Sequence, residues 1–399
     1  MDIRQKNIYR KYLVFALLVC LFGGIGVYIY YIRKNIPDTI YLDSYSDGTL
    51  LVDLPFVGTV DGKSDGGDTV QTSVNLMEPL TINSGDVSNY ELQVELFGII
   101  PIKNITVSVN ESRQIVACGI PVGIYIETDG ILVVDIGEVV TDNGTIEAPA
   151  KGILAPGDYI ETVNGLEVAT TSELVNAIKN SGEYAEFTIR RNSEIIPVKI
   201  KLCRDKEGNM MIGAWVRDDC QGLGTLTYVD DNGEFGTLGH AISDSQTGKI
   251  VEIKSGKLYT AKIWSVVKGQ EGSPGEIIGS INYGSSSYIG EIDENSTIGV
   301  YGETNKNVFA YVDEVYLNVA YKQDIKKGDA VIRTFVEGEV KDYDIEITEI
   351  HYSDDYSNKG IVFEVTDEDL LNATNGIVQG MFTSYNGSNN RKTSKYKVS

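Results

Sequence analysis

The chain has only two histidines, and one of them, His240, lies where catalytic groups are often carried. Residues 226–229 and 235–238 are predicted to form the two strands of a hairpin around the turn 230–233, which requires positive φ. His240 comes at the end of the second strand, where a loop begins, and loops on rigid scaffolds often hold catalytic side chains. An isolated histidine here could also simply hydrogen-bond within a turn.

The composition predicts mainly β structure around this histidine. Glycine (42 residues) and tyrosine (24) are frequent, which is typical of strands separated by many turns. A net charge of −23 argues against nucleic acid or an anionic membrane surface as the main partner. With 399 residues the chain is long enough for two or three domains, each with its own core.

An apolar run near the N-terminus predicts a membrane anchor. Residues 12–32 are almost uninterruptedly apolar, a length that suits one bilayer crossing. More positive charge precedes the run than comes after it, so the N-terminus is predicted in the cytosol and the remaining chain outside (Arg4, Lys6, Arg10 and Lys11 before; Arg33 and Lys34 after). A cleaved signal peptide is the alternative. No small-residue cleavage pattern comes after the run, which favours an uncleaved anchor.

Cysteine usage indicates neither a metal site nor a disulfide framework. Cys20 lies inside the anchor, and Cys118, Cys203 and Cys220 lie outside it without any Cys-x-x-Cys or mixed Cys/His spacing. One pair could form a disulfide outside the cell, but free buried thiols are the preferred interpretation. No metal or other cofactor is predicted.

The segment after the anchor, residues 36–110, is predicted to be a small β module or a structured stalk. Short apolar runs alternate there with clusters of Gly, Asp and Ser. No constellation of residues in it could carry chemistry. We expect it to space or orient the domains C-terminal to it.

Residues 111–204 contain a more specific pattern, Gly157-Asp-Tyr-Ile-Glu-Thr-Val-Asn164-Gly165, followed by a short helix with Thr171 or Ser172 as N-cap. The segment resembles a PDZ domain in the permuted strand order of bacterial proteases. The resemblance implies that a peptide adds to an exposed strand while a nearby loop holds its carboxylate. The residues implied are Pro121, Gly123, Ile124, Tyr125 and Ile126. An ordinary α+β domain, or a PDZ fold that only clamps its neighbour, remains the alternative.

The remaining chain, residues 205–399, is predicted to be a β-barrel or two-barrel domain. Short strands are expected at 215–217, 250–253, 258–267, 308–312 and 342–350, and no long amphipathic helix interrupts them. The fold class is therefore mainly β: a transmembrane helix (residues 1–35 with a cytosolic stub), a β-rich spacer, an α+β PDZ domain and a barrel domain.

Motifs in this last domain point to a family. Gly-Thr-Leu-Gly-His240, Phe-Glu-Val-Thr-Asp367 and Gly-Ile-Val-Gln-Gly-Met381 come after the anchor, the spacer and the PDZ pattern in that order. Together they closely resemble the stage IV sporulation protein B (SpoIVB) peptidases of endospore-forming bacteria. The resemblance extends to Met381 and implies a trypsin-like serine peptidase with a triad in the order His, Asp, Ser.

In that triad His240 would be the general base, and Asp367 would orient and stabilise its imidazole. The nucleophile should come from a Gly-Met-Ser-Gly-Ser-Pro motif whose backbone amides form the oxyanion hole. The alternative for Asp367 is a surface residue that caps the helix 368–371.

This sequence departs from the family pattern at the nucleophile. Phe382 occupies the expected serine position, and the tail 382–399 has four basic and no acidic residues in an otherwise acidic chain. A frameshift or truncated gene explains this abrupt change better than gradual divergence, and the second barrel is expected to be truncated. Ser384 and Ser388 are weak substitutes without a Gly-x-Ser-Gly context. This copy is expected to be inactive.

Two functions are weighed. The first is a membrane-anchored sporulation endopeptidase which, by resemblance, acts in the space between the forespore membranes. It would cleave itself and a regulator of the intramembrane protease complex that processes a sigma factor. The second is a non-catalytic, membrane-tethered PDZ protein that binds the C-termini of partner proteins. A general envelope quality-control protease is a weaker third, since its PDZ module usually lies after the protease domain.

Overall fold

The computed structural model describes most of the chain. The described residues are 3–43, 48–50, 57–63, 69–75, 80–82, 89–96, 100–110, 113–270, 275–321, 324–336, 338–351, 360–375, 383–385 and 395–396. The chain begins with helix α1, Ile3–Asn35. Within it Arg10–Tyr31 is 22 residues long with a mean hydropathy of 2.4, which is long and apolar enough to cross a membrane.

The spacer is built from strands, as its apolar runs predict. Its strands are β1 Thr39–Asp43, β2 Gly48–Leu50, β3 Val57–Lys63, β4 Thr69–Asn75, β5 Leu80–Ile82, β6 Asn89–Leu96 and β7 Ile100–Asn110. Five of them form one sheet in the order β1-β7-β6-β3-β4, and β2 pairs with β5. Lys103 ties the sheet to the end of α1, since its Nζ donates to the carbonyl of Ile36 at 2.6 Å.

An α/β unit comes next, built on the second half of a long strand. Its elements are β8 Gln114–Ile136, β9 Val139–Val140, β10 Ile146–Glu147, β11 Tyr159–Val163, β12 Leu166–Glu167, α2 Thr171–Lys179, β13 Tyr184–Arg191, β14 Glu194–Lys201, β15 Cys203–Arg204 and β16 Met210–Met211. Leu174 and Ile178 of α2 pack with Phe187 in its core. The N-cap of α2 is Thr170, not Thr171 or Ser172 as predicted, because Glu173 completes a capping box with it.

A closed six-stranded barrel lies after the α/β unit. Besides β8, the strands of this part are β17 Ala214–Asp230, β18 Glu234–Thr237, β19 Ile253–Val267, β20 Glu276–Ile281, β21 Tyr288–Ser296 and β22 Gly299–Thr304. All of them except β20 belong to the barrel. Pairing runs from β8 to β17, β18, β22, β21 and β19, and β19 pairs back to β8, which closes the ring. Every second residue of β8 from Val116 to Ile126 is buried inside, as the period of a strand requires. β20 extends the sheet from β19.

The last part of the chain forms a second, open sheet. The elements of this part are β23 Tyr316–Val319, β24 Gly328–Val336, β25 Glu339–Ile350, β26 Ile361–Val365, α3 Glu368–Thr374, β27 Thr383–Tyr385 and β28 Lys395–Tyr396. Of these, β23 pairs with β8 of the barrel and β28 pairs with β23. Four strands pair in the order β26-β25-β24-β27 over a core with Ile332, Tyr343 and Leu370. The predicted strand at 308–312 is wrong: a 3-10 helix, Lys306–Ala310, occupies it, with Asn305 as its N-cap.

The barrel and the open sheet touch where β8 meets β24. Gly119 has φ +73°, and a Cβ atom there would lie 2.7 Å from Cγ of Arg333 and 3.0 Å from its carbonyl oxygen. Arg333 Nη1 donates to the carbonyl of Ala117 at 3.1 Å, while its Nε and Nη2 bind Asp342. The two layers therefore approach at backbone distance at this point.

Candidate functional site

His240 is placed by the hairpin that the sequence predicts. Residues 226–229 of β17 pair with 235–237 of β18, and Gly233 in the connecting turn has φ +90°. Asp230 is 2% exposed, and its Oδ1 accepts hydrogen bonds from the amides of Asn232 and Glu234 at 2.9 and 2.8 Å. A buried carboxylate that accepts two backbone amides fixes such a turn. The hairpin is therefore rigid up to the rim of the barrel.

Backbone strain lies just before the histidine. Leu238 has φ +61°, a conformation that residues with a side chain seldom adopt and that costs roughly 1–3 kcal/mol. Its side chain packs over Gly224, where an added Cβ would lie 2.6 Å from Leu238 Cδ2. The chain thus turns sharply away from β18 and presents His240 beyond the barrel wall.

The His240 ring is exposed and has one hydrogen-bonding partner among the described residues. Its Nδ1 lies 2.9 Å from the carbonyl oxygen of Ala241. Since a carbonyl oxygen only accepts, Nδ1 is the donor in this contact, and in the neutral imidazole that tautomer leaves the lone pair on Nε2. An imidazole in that tautomer can take a proton at Nε2, which is what a general base must do.

Asp367 caps a helix in the structure. It precedes α3, and its Oδ1 accepts hydrogen bonds from the amides of Asp369 and Leu370, both at 3.0 Å. Its own amide donates to the carbonyl of Asp344 at 3.1 Å. The capping alternative raised by the sequence is therefore what the structure shows, and Oδ2 accepts no hydrogen bond from a described residue.

The structure does not bring the predicted triad together. No hydrogen bond or ion pair joins His240 to Asp367 within the described part of the chain, because Ala241 holds Nδ1 and α3 holds the carboxylate. Phe382 and Ser388 lie outside the described residues. Ser384 lies in β27, where its backbone is paired with Ile332 of β24.

The residues predicted to bind a peptide lie in the barrel wall, which corrects that prediction. Ile124 pairs with β17 on one side and with β19 on the other, and so do its neighbours on β8. Gly123 faces Ile281, since a Cβ would lie 2.6 Å from two of its side-chain atoms. Because strand addition needs an unpaired edge, residues 121–126 cannot receive a peptide in this structure. The sequence placed them with the α/β unit because β8 continues into it.

A short hairpin directly after His240 was not anticipated from the sequence. In residues 242–251 the amide of Val251 donates to the carbonyl of Ile242 at 3.0 Å, and Ser243 bridges to Ile250. Asn295 of β21 holds its base, accepting from the amide of Ile242 and donating to two of its carbonyls. The sequence offered one indication, an aspartate four residues after His240 in a polar turn.

A cavity lies between the barrel and the open sheet. It has a volume of about 390 Å³ and includes Cys118, Phe309, Tyr311, Arg333 and Asp342 in its wall. Burial raises the pKa of the Cys118 thiol to about 12, so this cysteine stays protonated and unreactive at neutral pH. All four cysteines are free, and the three outside the anchor are buried, as preferred from the sequence. No group of acidic, histidine and cysteine side chains in the described segments is arranged to hold a metal.

Comparisons with known proteins agree with the motifs. Residues 208–391, a little under half of the chain, match the family model described as SpoIVB peptidase S55. For residues 208–391 the match agrees with the family predicted from the motifs, so this part of the chain is similar to the SpoIVB peptidases. Among solved structures, the PDZ domain of an SdrC-like protein from Listeria monocytogenes matches with 25% identity. That match covers 23% of this chain and 90% of the other, with a TM-score of 0.19. No match was found among the curated proteins.

Proposed function

We propose, from the match of residues 208–391 to SpoIVB peptidase S55, that the chain has the framework of a membrane-anchored sporulation serine endopeptidase and has lost its nucleophile. The observation that carries the proposal is the position of His240. It stands at the rim of a closed six-stranded barrel, on a hairpin inside the matched segment. The neighbouring sheet carries Asp367 at the end of β26.

His240 is the general base in this proposal. Its free Nε2 would take the proton of a nucleophile and return it to the leaving amine, while Nδ1 donates to an acceptor. That acceptor is now the carbonyl of Ala241. Asp367 would replace that carbonyl in an arrangement that brings the two side chains into contact, using the Oδ2 atom that does not cap α3.

Phe382 is the reason to expect no cleavage. A phenyl ring has no atom that can attack a carbonyl carbon, so no acyl-enzyme can form at this position. With an intact serine, the framework would cleave itself and a regulator of the intramembrane protease complex. Helix α1 would hold it in the membrane with the N-terminus in the cytosol, as the distribution of basic residues indicates.

A fluorophosphonate probe on the full chain in detergent micelles tests this proposal. The wild type should remain unlabelled and show no self-cleavage on prolonged incubation. Phe382→Ser should gain the label, and His240→Ala added to that variant should remove it. Labelling of the wild type at Ser384 or Ser388, mapped by mass spectrometry, would refute the loss of the nucleophile. A folded Phe382→Ser chain that takes no label would refute the assignment of position 382.

A non-catalytic, membrane-tethered peptide-binding protein is the second candidate, and the phenylalanine at position 382 favours it. The peptide would have to bind away from this segment, since residues 122–126 are paired on both sides and Pro121 is paired with β17. Fluorescence anisotropy with labelled peptides that end in an apolar residue and a free carboxylate measures such binding. Affinity that Tyr125→Ala, a change at a partly buried neighbour of Ile124, leaves intact would support a binder with a different groove, and no affinity for any such peptide would count against this function.

A further inference from the structure

The hairpin of residues 242–251, named here the His hairpin, begins two residues after His240. Its two sides are held together by backbone hydrogen bonds, such as that from the amide of Asp244 to the carbonyl of Lys249 at 2.9 Å. Because the His240 ring is exposed and bonds only its neighbouring carbonyl among the described groups, its direction depends on how this hairpin sits. Whatever fixes the hairpin therefore fixes the histidine.

Asp244 organises the tip of the His hairpin. Its side chain is 0% exposed, and Oδ1 accepts hydrogen bonds from the amides of Gln246 and Thr247 at 3.1 and 2.8 Å. Oδ2 accepts from Arg217 Nη1 at 2.9 Å. A carboxylate buried to this degree is strongly destabilising unless hydrogen bonds or a charged partner stabilise it, and Asp244 has both. Arg217 is the partner that the structure supplies.

Arg217 lies where the α/β unit and the barrel meet on one strand. It belongs to the part of β17 that pairs with Leu132 of β8, on the α/β side. The next residue, Asp218, accepts hydrogen bonds from the amide and the hydroxyl of Thr171 in the first turn of α2. Two consecutive side chains of β17 thus hold the His hairpin and the helix of the α/β unit.

The end of the His hairpin is held by the same unit. The amide of Glu252 donates to the hydroxyl of Tyr159 at 3.0 Å, and the carbonyl of Glu252 accepts from the amide of Asp129 at 2.9 Å. Lys249 passes over Gly157, where an added Cβ would lie 2.5 Å from its Nζ. The hairpin is therefore clamped by the α/β unit at its tip and its end, and by the barrel at its base.

We propose that Arg217 and Asp244 are positioning residues for His240: the ion pair between the half-exposed Arg217 and the buried Asp244 fixes the His hairpin against the α/β unit and so sets the direction of the imidazole. The inference rests on the proposed role of His240 as the base. Neither residue touches a reacting atom. The α/β unit is then a structural part of the candidate active site, through contacts that do not involve a peptide groove.

The test uses the full chain in detergent micelles and needs no catalytic activity. Arg217→Met removes the charge but keeps an unbranched side chain. Peptide-resolved hydrogen exchange then measures the amide exchange rates of the His hairpin. Modification by diethyl pyrocarbonate, located by mass spectrometry, measures how accessible and reactive the ring of His240 is. His351, whose ring lies 3.2 Å from Glu349 on β25, is the internal reference in the same sample.

We expect Arg217→Met to speed amide exchange in residues 242–251 by about tenfold or more, since the buried Asp244 carboxylate then loses its charged partner, and 1.4 kcal/mol corresponds to a factor of ten. The modification rate of His240 should change while that of His351 stays constant. Arg217→Lys restores the charge and should recover both readouts in part. A purely structural role in stability would not give a change confined to one of the two histidines.

Arg191→Met is the matched control. Arg191 pairs with Asp158 in the α/β unit, and the exposed fractions are nearly the same: 34% and 1% there, 37% and 0% for Arg217 and Asp244. It should destabilise its own unit and affect residues 242–251 and His240 clearly less than Arg217→Met does, because it leaves the hydrogen bonds of Asp244 intact and disturbs only the neighbours of Asp158, Gly157 and Tyr159, which contact Lys249 and Glu252. Equal effects of the two variants on residues 242–251, or no effect of Arg217→Met, would overturn the proposal.

Protected amides in β22 show whether the barrel remains folded in each variant. If Arg217→Met unfolds it, the same comparison is made between Arg217→Lys and Arg191→Lys, where an intact hairpin and an unchanged His240 would again overturn the proposal. Failure of the peptidase proposal is recognised separately. The fluorophosphonate experiment on Phe382→Ser would show that failure. The exchange and modification readouts do not depend on the result of that experiment.

Discussion

Substituting Gly119 by alanine should separate the barrel from the open sheet. The left-handed backbone at φ +73° costs an L-residue roughly 1–2 kcal/mol. The new Cβ would also lie 2.7 Å from Cγ of Arg333 and 3.0 and 3.1 Å from its backbone oxygen and carbon. A backbone cannot move aside as the end of a long side chain can, so overpacking adds about 1–3 kcal/mol. Together these effects predict a loss of about 2–5 kcal/mol at this contact.

Native-state hydrogen exchange of the full chain in detergent measures this loss locally, without assuming that the whole chain unfolds in one step. Amides of β8 and β24 should lose protection in Gly119→Ala. Gly248→Ala is the control, because its φ of +67° is similar but no atom lies within 4 Å of the added Cβ. It should cost only the backbone term of roughly 1–2 kcal/mol. Equal losses in the two variants would refute the close approach of the two layers.

Three further predictions concern single side chains. Hydrogen bonds from backbone amides, that of Ala169 having the largest effect, lower the pKa of Glu173 below 4.5. The ionised side chain therefore stabilises the fold, and Glu173→Gln should lower stability at neutral pH. That difference should disappear as the pH falls through the lowered pKa, in denaturant titrations at several pH values. Cys118 should resist iodoacetamide in the folded chain and react after unfolding, as read by mass spectrometry, because burial raises its pKa to about 12. Asp230→Ala should cost about 1–3 kcal/mol, because the partly buried amides of Asn232 and Glu234 lose their charged acceptor. Thermal unfolding of Asp231→Ala, a change at an exposed residue, should stay near wild type.

The sequence predicted the local elements of this fold well. The hairpin before His240, the short helix after residue 170 and the apolar N-terminal helix each derive from a pattern within a few turns of chain. The long strand β8 was not predicted, since its pairing with β17 and β19 involves partners far along the chain. A strand with apolar residues at every second position looks the same whether it lies in a barrel or in a PDZ-type sheet. That ambiguity placed residues 121–126 in a peptide groove.

The candidate site was predicted from motifs, and its geometry was not. His240 and Asp367 were proposed because each stands in a distinctive run of residues, and both lie inside the segment that matches the family model. One carboxylate oxygen of Asp367 caps α3, a helix of only seven residues. From the sequence this capping role was considered only as an alternative. Arg217 and Asn295 could not be found at all, because their partners are brought near by tertiary contacts only.

The continuity of β8 has a consequence for how the chain is made. Ile124 pairs with Gly222 and Leu258, so this strand emerges from the ribosome roughly a hundred residues before either neighbour exists. Neither the α/β unit nor the barrel can be completed until β17 has been synthesised, because β17 pairs with both halves of β8. Contacts between residues this far apart in the chain give a high contact order, which slows folding. During that interval an apolar strand with two unpaired edges must be shielded from aggregation. We therefore expect the nascent chain to depend on a chaperone until residue 267, the end of β19, has been synthesised.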